Sequence, residues 1–259
     1  MNLEVLYREP VQPKHATPIL FLHGMYHGAW CWDEYFLPYF AERGYDVFAM
    51  SLRGHGQSEG HVRWARLHDY VDDLAQVVAQ FKTPPILVGH SMGGLVVQKY
   101  LEAHAAPAAV LVASAPPFGI WHSFLSSMRK HPLATLQTML TLNPRALVST
   151  PALYRELFHS PSRPEEKLLK YFAHLSDASL FAVLDMLGLD LPHADRIQTP
   201  LLVLGAAHDG SIHPPHFEAT AKIYNAEFHA FPMNHSMMLE EGWQSVADCI
   251  LTWLDQRHL

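Results

Sequence analysis

Three residues of this 259-residue chain have the types and the order that nucleophilic catalysis needs: Ser91, Asp209 and His235. Ser91 sits in Gly89-His90-Ser91-Met92-Gly93, a G-x-S-x-G pattern. Glycines two before and two after the serine remove side chains that would collide in a sharp turn. A serine hydroxyl at its free pKa is a poor nucleophile and needs a base. Asp209 follows in Gly205-Ala206-Ala207-His208-Asp209, and His235 in Phe231-Pro232-Met233-Asn234-His235. The chemistry would be acyl transfer: the serine attacks, the histidine moves the proton, and the aspartate orients the imidazole. A tetrahedral intermediate also needs backbone donors, and the N–H groups of Met92 and Met25 are placed to supply them.

These residues must be brought together by the elements around them. Short apolar runs read as strands at Ile19–Leu22, Asp46–Met50, Ile86–Val88, Ala109–Val112, Leu201–Leu204 and Glu227–Phe231. Helical spacing follows from Leu67 to Phe81, after Ser91, and from Trp243 to Gln256. The alternation predicts a parallel sheet with helices on both faces. Ser91, Asp209 and His235 then all lie just beyond carboxyl ends of strands, where sites in such sheets gather. Ser114 and Ala115 follow the strand at 109–112, so no carboxylate competes with Asp209 there.

The stretch 116–192 has no convincing strand. It reads as short amphipathic helices broken by Pro132, Pro144, Pro151, Pro161 and Pro164. The expected organisation is a core of residues 1–115 and 193–259 with a helical cap of 116–192. The inner face of the cap is expected to carry Trp121, Phe124, Leu125, Met128 and Phe181. Tyr26 and Met237 are expected at the mouth of the site. His208, Asp209, His213 and His216 match no standard zinc spacing, so no metal is expected. His27, His55 and His61 read as surface or loop-packing residues.

Five stretches together identify a family resemblance: FLHGMYHGAW, SLRGHGQSEG, VGHSMGG, the Gly205–Asp209 loop and Asn234-His235-Ser236. With them the chain resembles the α/β-hydrolase superfamily over nearly its whole length. The resemblance implies a mostly parallel eight-stranded sheet, a helical cap over the site and no cofactor. Ser51 stands where an aspartate is frequent, in a stretch taken as a turn scaffold. HGMYHGAWCW is similar to the plant methylesterase and hydroxynitrile-lyase group. SLRGHGQSEG is similar to bacterial carboxylesterases and monoacylglycerol lipases. The lyases carry a lysine directly after the histidine, where this chain has Ser236. Dehalogenases and epoxide hydrolases of the fold carry aspartate at the position of Ser91.

The expected activity is hydrolysis of small apolar carboxylic esters through an acyl-enzyme. C–C bond hydrolysis, lactone opening, acyl transfer to another alcohol, and ligand binding with little turnover use the same residues and stay open. Composition narrows the partners. Eighteen Lys+Arg against 25 Asp+Glu give a formal net charge of −7, which disfavours nucleic acid. At 49% hydrophobic and 17% charged residues the chain is too apolar for disorder. The opening residues lack the apolar core of a signal peptide, and no run approaches the roughly 18 residues of a membrane span. Cys31 and Cys249 form no CxxC pair. A reducing, cytoplasmic setting is the expectation.

Overall fold

A computed structural model describes residues 1–259. Its strands are β1 (Val5–Arg8), β2 (Ile19–Leu22), β3 (Val47–Met50), β4 (Ile86–His90), β5 (Ala109–Val112), β6 (Leu201–Ala206) and β7 (Glu227–Phe231). They form one sheet in the order β1-β3-β2-β4-β5-β6-β7. β1 runs antiparallel to β3, and every other pair is parallel. Every residue of β2, β4, β5 and β6 is buried. That is why these strands are apolar on both faces.

The sheet has seven strands, not the eight that the family resemblance implies. Six match the strands read from the sequence. The seventh, β1, is a short edge strand with two exposed residues, flanked by Glu4 and Glu9. An edge strand needs little apolar patterning, so its signal is weak. β4 and β6 also run past the glycines that seemed to end them: Gly89 pairs with Leu111, and Gly205 with Ala230.

In chain order the helices are α1 (Trp30–Asp33), α2 (Phe36–Glu42), α3 (Leu67–Val78), α4 (Met92–Tyr100), α5 (Trp121–Lys130), α6 (Pro132–Thr141), α7 (Pro151–Phe158), α8 (Glu165–Ala173), α9 (Leu180–Leu184), α10 (Pro215–Tyr224) and α11 (Trp243–Asp255). None is long and apolar enough to cross a membrane. Apolar Leu67, Tyr70, Leu74 and Val77 line the buried face of α3. Asp73 on that face is buried and holds Arg53 at 2.7 Å, which pins the turn after β3. Under the first strands Phe21 packs on Trp32 at 4.9 Å, Phe40 at 5.5 Å and Phe36 at 6.0 Å. Cys31 and Cys249 are free thiols.

All of α5 to α9 lies between β5 and β6 with no strand among them. Pro132, Pro144 and Pro151 start helical turns here instead of breaking them. A proline at the first helical position gives up an N–H that would have no partner anyway. Several polar ties fasten this segment to the sheet layer. Buried Asp185 accepts the Leu67 N–H at 2.9 Å and pairs with Arg66. Ser179 Oγ donates to Ala65 O at 2.6 Å, and the Ser176 N–H donates to Tyr26 O at 2.7 Å. His159 Nδ1 donates to buried Glu240 at 3.0 Å.

Phe21 anchors the aromatic cluster under the central strands. Phe21→Ala is expected to lower the unfolding free energy by about 3–5 kcal/mol, read by urea denaturation.

Candidate active site

Ser91 occupies the turn between β4 and α4 with φ 53° and ψ −122°. A non-glycine residue there is strained, and surrounding bonds must hold it. The Ser91 N–H donates to Val112 O at 3.1 Å. Ser91 O accepts from the N–H groups of Gly94, Leu95 and Ala115. The glycines serve close packing. A Cβ on Gly93 would stand 2.3 Å from His23 O, and one on Gly24 would stand 2.8 Å from Ser91 Cβ. The loop after β2 can therefore lie directly against the serine turn. Gly24 allows this by its missing side chain and not by an unusual φ.

The loops after β6 and β7 bring in the other two residues. His235 Nε2 accepts from Ser91 Oγ at 2.9 Å, and its Nδ1 donates to Asp209 Oδ2 at 2.7 Å. Asp209 Oδ1 accepts from the N–H groups of Ser211 and Ile212 at 2.8 and 2.7 Å. Both Asp209 oxygens are thus occupied, and its side chain has no exposure. This arrangement fixes the imidazole tautomer with a free acceptor toward the serine.

Three residues that sequence reasoning missed support His235. Asn234 Oδ1 accepts from the N–H groups of His235 (2.7 Å) and Gly210 (2.9 Å), while its Nδ2 donates to His159 O (2.8 Å). One side chain so ties the base loop, the acid loop and the end of α7. His90 Nε2 donates to His235 O at 3.0 Å. The Phe158 ring packs edge-on against the His235 ring at 5.2 Å. Asn234 and His90 carried a faint signal as neighbours of the reactive pair. Phe158 carried none.

Met92 is the first residue of α4, and Met25 lies in the loop after β2. Neither N–H donates to any acceptor in the chain. Both are free for an oxygen at Ser91, as an oxyanion site requires.

The loops behind these donors are built on buried neutral histidines. His27 Nδ1 donates to Met25 O at 2.9 Å, and its Nε2 accepts from the Tyr154 hydroxyl at 3.1 Å. Burial pushes His27 down to about 3 and His55 down to about 4. Burial also holds His23 and His90 well below the ordinary imidazole range. His27 and His55 are loop-packing residues, as expected, but lie fully inside; His61 is exposed. Ser51 Oγ accepts from Ala29 N–H and donates to Glu4, so a carboxylate reaches this turn from the residue before β1.

A cavity of about 250 Å³ opens beside Ser91 and His235. Sixteen of its 24 lining residues are hydrophobic, which makes it an apolar site. Met25, Tyr26, Met92 and Phe124 line it, as the sequence suggested. Five other expected pocket residues do not. Trp121, Leu125 and Met128 are exposed on the outer side of α5. Phe181 packs on Trp64 at 5.5 Å, and Met237 is buried in the core. For the three on α5 the physical reason is helix rotation: that helix turns Ser123, Phe124 and Ser127 inward instead. The hydroxyls of Thr135 and Thr138, also in the wall, donate to carbonyls of their own helix.

A family model described as serine aminopeptidase, S33, matches residues 13–241. The chain belongs to this α/β-hydrolase family. The hydrolase is 37% identical to a non-heme chloroperoxidase of Burkholderia pyrrocinia over 125 residues, 45% of this chain and 43% of that protein. It spans less than half the length of the first curated relatives it matches. Its fold is similar to that of a thermophilic esterase from Thermogutta terrifontis, at TM-score 0.73 and 20% identity, over 99% and 95% of the two chains. It is similar to a monoacylglycerol lipase from Paleococcus ferrophilus at TM-score 0.73 and 19% identity, over 99% and 100%. At such identities these structures speak for the fold alone.

Asn234→Ala is expected to lower kcat on the order of 10–100-fold with little change in KM, because the base loses its fixed aim. Steady-state kinetics on a folded variant checks this. The buried histidines also set an acid limit. Their folded pKa values are depressed, so their stabilising contribution is full above about pH 6.5 and is lost as the pH falls, when the unfolded chain takes up protons that the folded chain refuses. For His27 and His55 the expected loss is about 2 kcal/mol each between pH 7 and pH 5, read by urea unfolding at both pH values.

Proposed function

We propose that this hydrolase cleaves carboxylic esters with an apolar acyl or aromatic part, through an acyl-enzyme on Ser91. The observation that carries this reading is His235 bridging Ser91 Oγ at 2.9 Å and Asp209 at 2.7 Å beside the apolar cavity. Ser91 Oγ attacks the acyl carbon while His235 Nε2 takes its proton. Asp209 steadies the imidazolium. The Met25 and Met92 N–H groups receive the oxyanion, each worth about 3–4 kcal/mol of barrier. His235 then protonates the leaving alcohol, and the same ring activates the water that releases the acid. No step needs a cofactor.

Residues 116–192 act in this reading as a cap. Phe124, Met139, Leu147, Val183 and Leu187 from this stretch form much of the cavity wall. The cavity is smaller than the roughly 300–1,000 Å³ usual for ligand sites. Its size favours short or medium acyl groups over long chains. Membership of the serine aminopeptidase, S33, family supports serine-hydrolase chemistry of this kind.

Initial rates on a p-nitrophenyl ester series test the proposal. Wild type should turn over with an optimum at short to medium acyl length. Ser91→Ala should lose at least about 10⁴-fold in kcat. A folded wild type inactive on every ester, or a Ser91→Ala variant with unchanged turnover, would sink it.

A further inference from the structure

The rotation of α5 leaves an unusual outer surface. Trp121, Leu125 and Met128 stand exposed at i, i+4 and i+7 on α5, on one side of the helix. Leu133, Leu136 and Leu140 stand exposed at i, i+3 and i+7 on α6. Leu133 is 81% exposed and Leu140 77%, so most of each side chain faces outward. No residue of α5 is buried. Two exposed apolar stripes on consecutive helices are the kind of surface that marks an interaction site.

Charge says what kind of partner fits. The chain carries a formal net charge of −7, yet no Asp or Glu occurs between Glu102 and Glu156. Arg129 and Lys130 lie in the last turn of α5, at the junction with α6. Farther along the acid-free stretch, Arg155 is paired with Glu165, and Glu156 faces His131 at 3.2 Å. The two helices thus show two apolar stripes and two cations outside any ion pair, and the one carboxylate at their junction, Glu156, is taken by His131. A second copy of this face would bring only Glu156, already held against His131, to meet those cations, because a two-fold contact sets the same patch against itself. An anionic lipid surface meets both features. It takes up apolar side chains at its acyl boundary and attracts cations to its headgroups. The position also suits a lipid-facing role, since Phe124 and Met139 of the same two helices line the cavity beside Ser91.

We propose that the α5–α6 face docks this hydrolase on an anionic bilayer surface, with the apolar stripes inserted and Arg129 and Lys130 at the headgroups. The bilayer would then lie beside the helices that wall the cavity. This goes beyond the ester-hydrolase reading, and docking is measured apart from turnover.

Flotation with vesicles tests it. The probes are vesicles of phosphatidylcholine alone and of equal parts phosphatidylcholine and phosphatidylglycerol. Ser91→Ala protein should bind the mixed vesicles as wild type does, whatever the chemistry at the site. Binding to phosphatidylcholine alone should be much weaker, and added salt should weaken binding to the mixed vesicles. Arg129→Gln with Lys130→Gln should reduce binding to the mixed vesicles about 25-fold, at roughly 1 kcal/mol per cation. Leu133→Ser with Leu140→Ser should reduce it about tenfold or more. None of these four residues lines the cavity. Both variants should therefore keep wild-type rates on a water-soluble p-nitrophenyl ester, which also reports that they are folded. Absence of wild-type binding to mixed vesicles would overturn the proposal. So would folded variants that bind like wild type, or a concentration-dependent dimer that Leu133→Ser with Leu140→Ser abolishes.

Discussion

Everything at this site depends on one strained residue. Ser91 is held with a positive φ between a buried strand and a buried helix, and it cannot relax because its N–H and carbonyl are both engaged with neighbouring elements. β4 and α4 are packed on all sides, so the strain is offset by burial that does not depend on the serine. The same constraint explains the glycines around it. The loop after β2 presses directly against this turn, and any Cβ on Gly24 or Gly93 would force the two apart.

A second layer of order lies behind the reactive groups. Asn234 joins three segments that are far apart in sequence: the loop after β6, the loop after β7 and the end of α7. His90, next to Ser91 in sequence, holds the carbonyl of His235. Position at a sheet edge gives only rough proximity, and hydrogen bonds of this sort bring it to working distance. They also couple the helices between β5 and β6 to the chemistry, because His159 and Phe158 contribute directly. Buried neutral histidines perform the same service behind the loop after β2, at the cost of tolerance to acid.

The helices between β5 and β6 divide into two kinds. α7 and the turn through Asp185 are tied to the sheet layer by buried polar bonds. α5 and α6 lie farther out and bury little. Their inward faces shape an apolar cavity, while their outward faces stay apolar as well. A helix hydrophobic on two sides gives no single preferred face from its sequence. For that reason Trp121, Leu125 and Met128, which share a plausible inward stripe with Phe124, ended on the outside.

The sequence by itself determined the central strands, the serine turn and the identity of Ser91, Asp209 and His235. These are local matters: apolar runs of strand length, glycines at fixed offsets, and loops in a known order at strand ends. β1 escaped notice because an edge strand needs few apolar residues. Only the tertiary structure decided which residues of 116–192 face the cavity, that Met237 belongs to the core, and that Asn234 and Phe158 steady His235. Those outcomes depend on the rotation and docking of helices against partners distant in the chain. Helical periodicity names a face but not the surface that the face will meet.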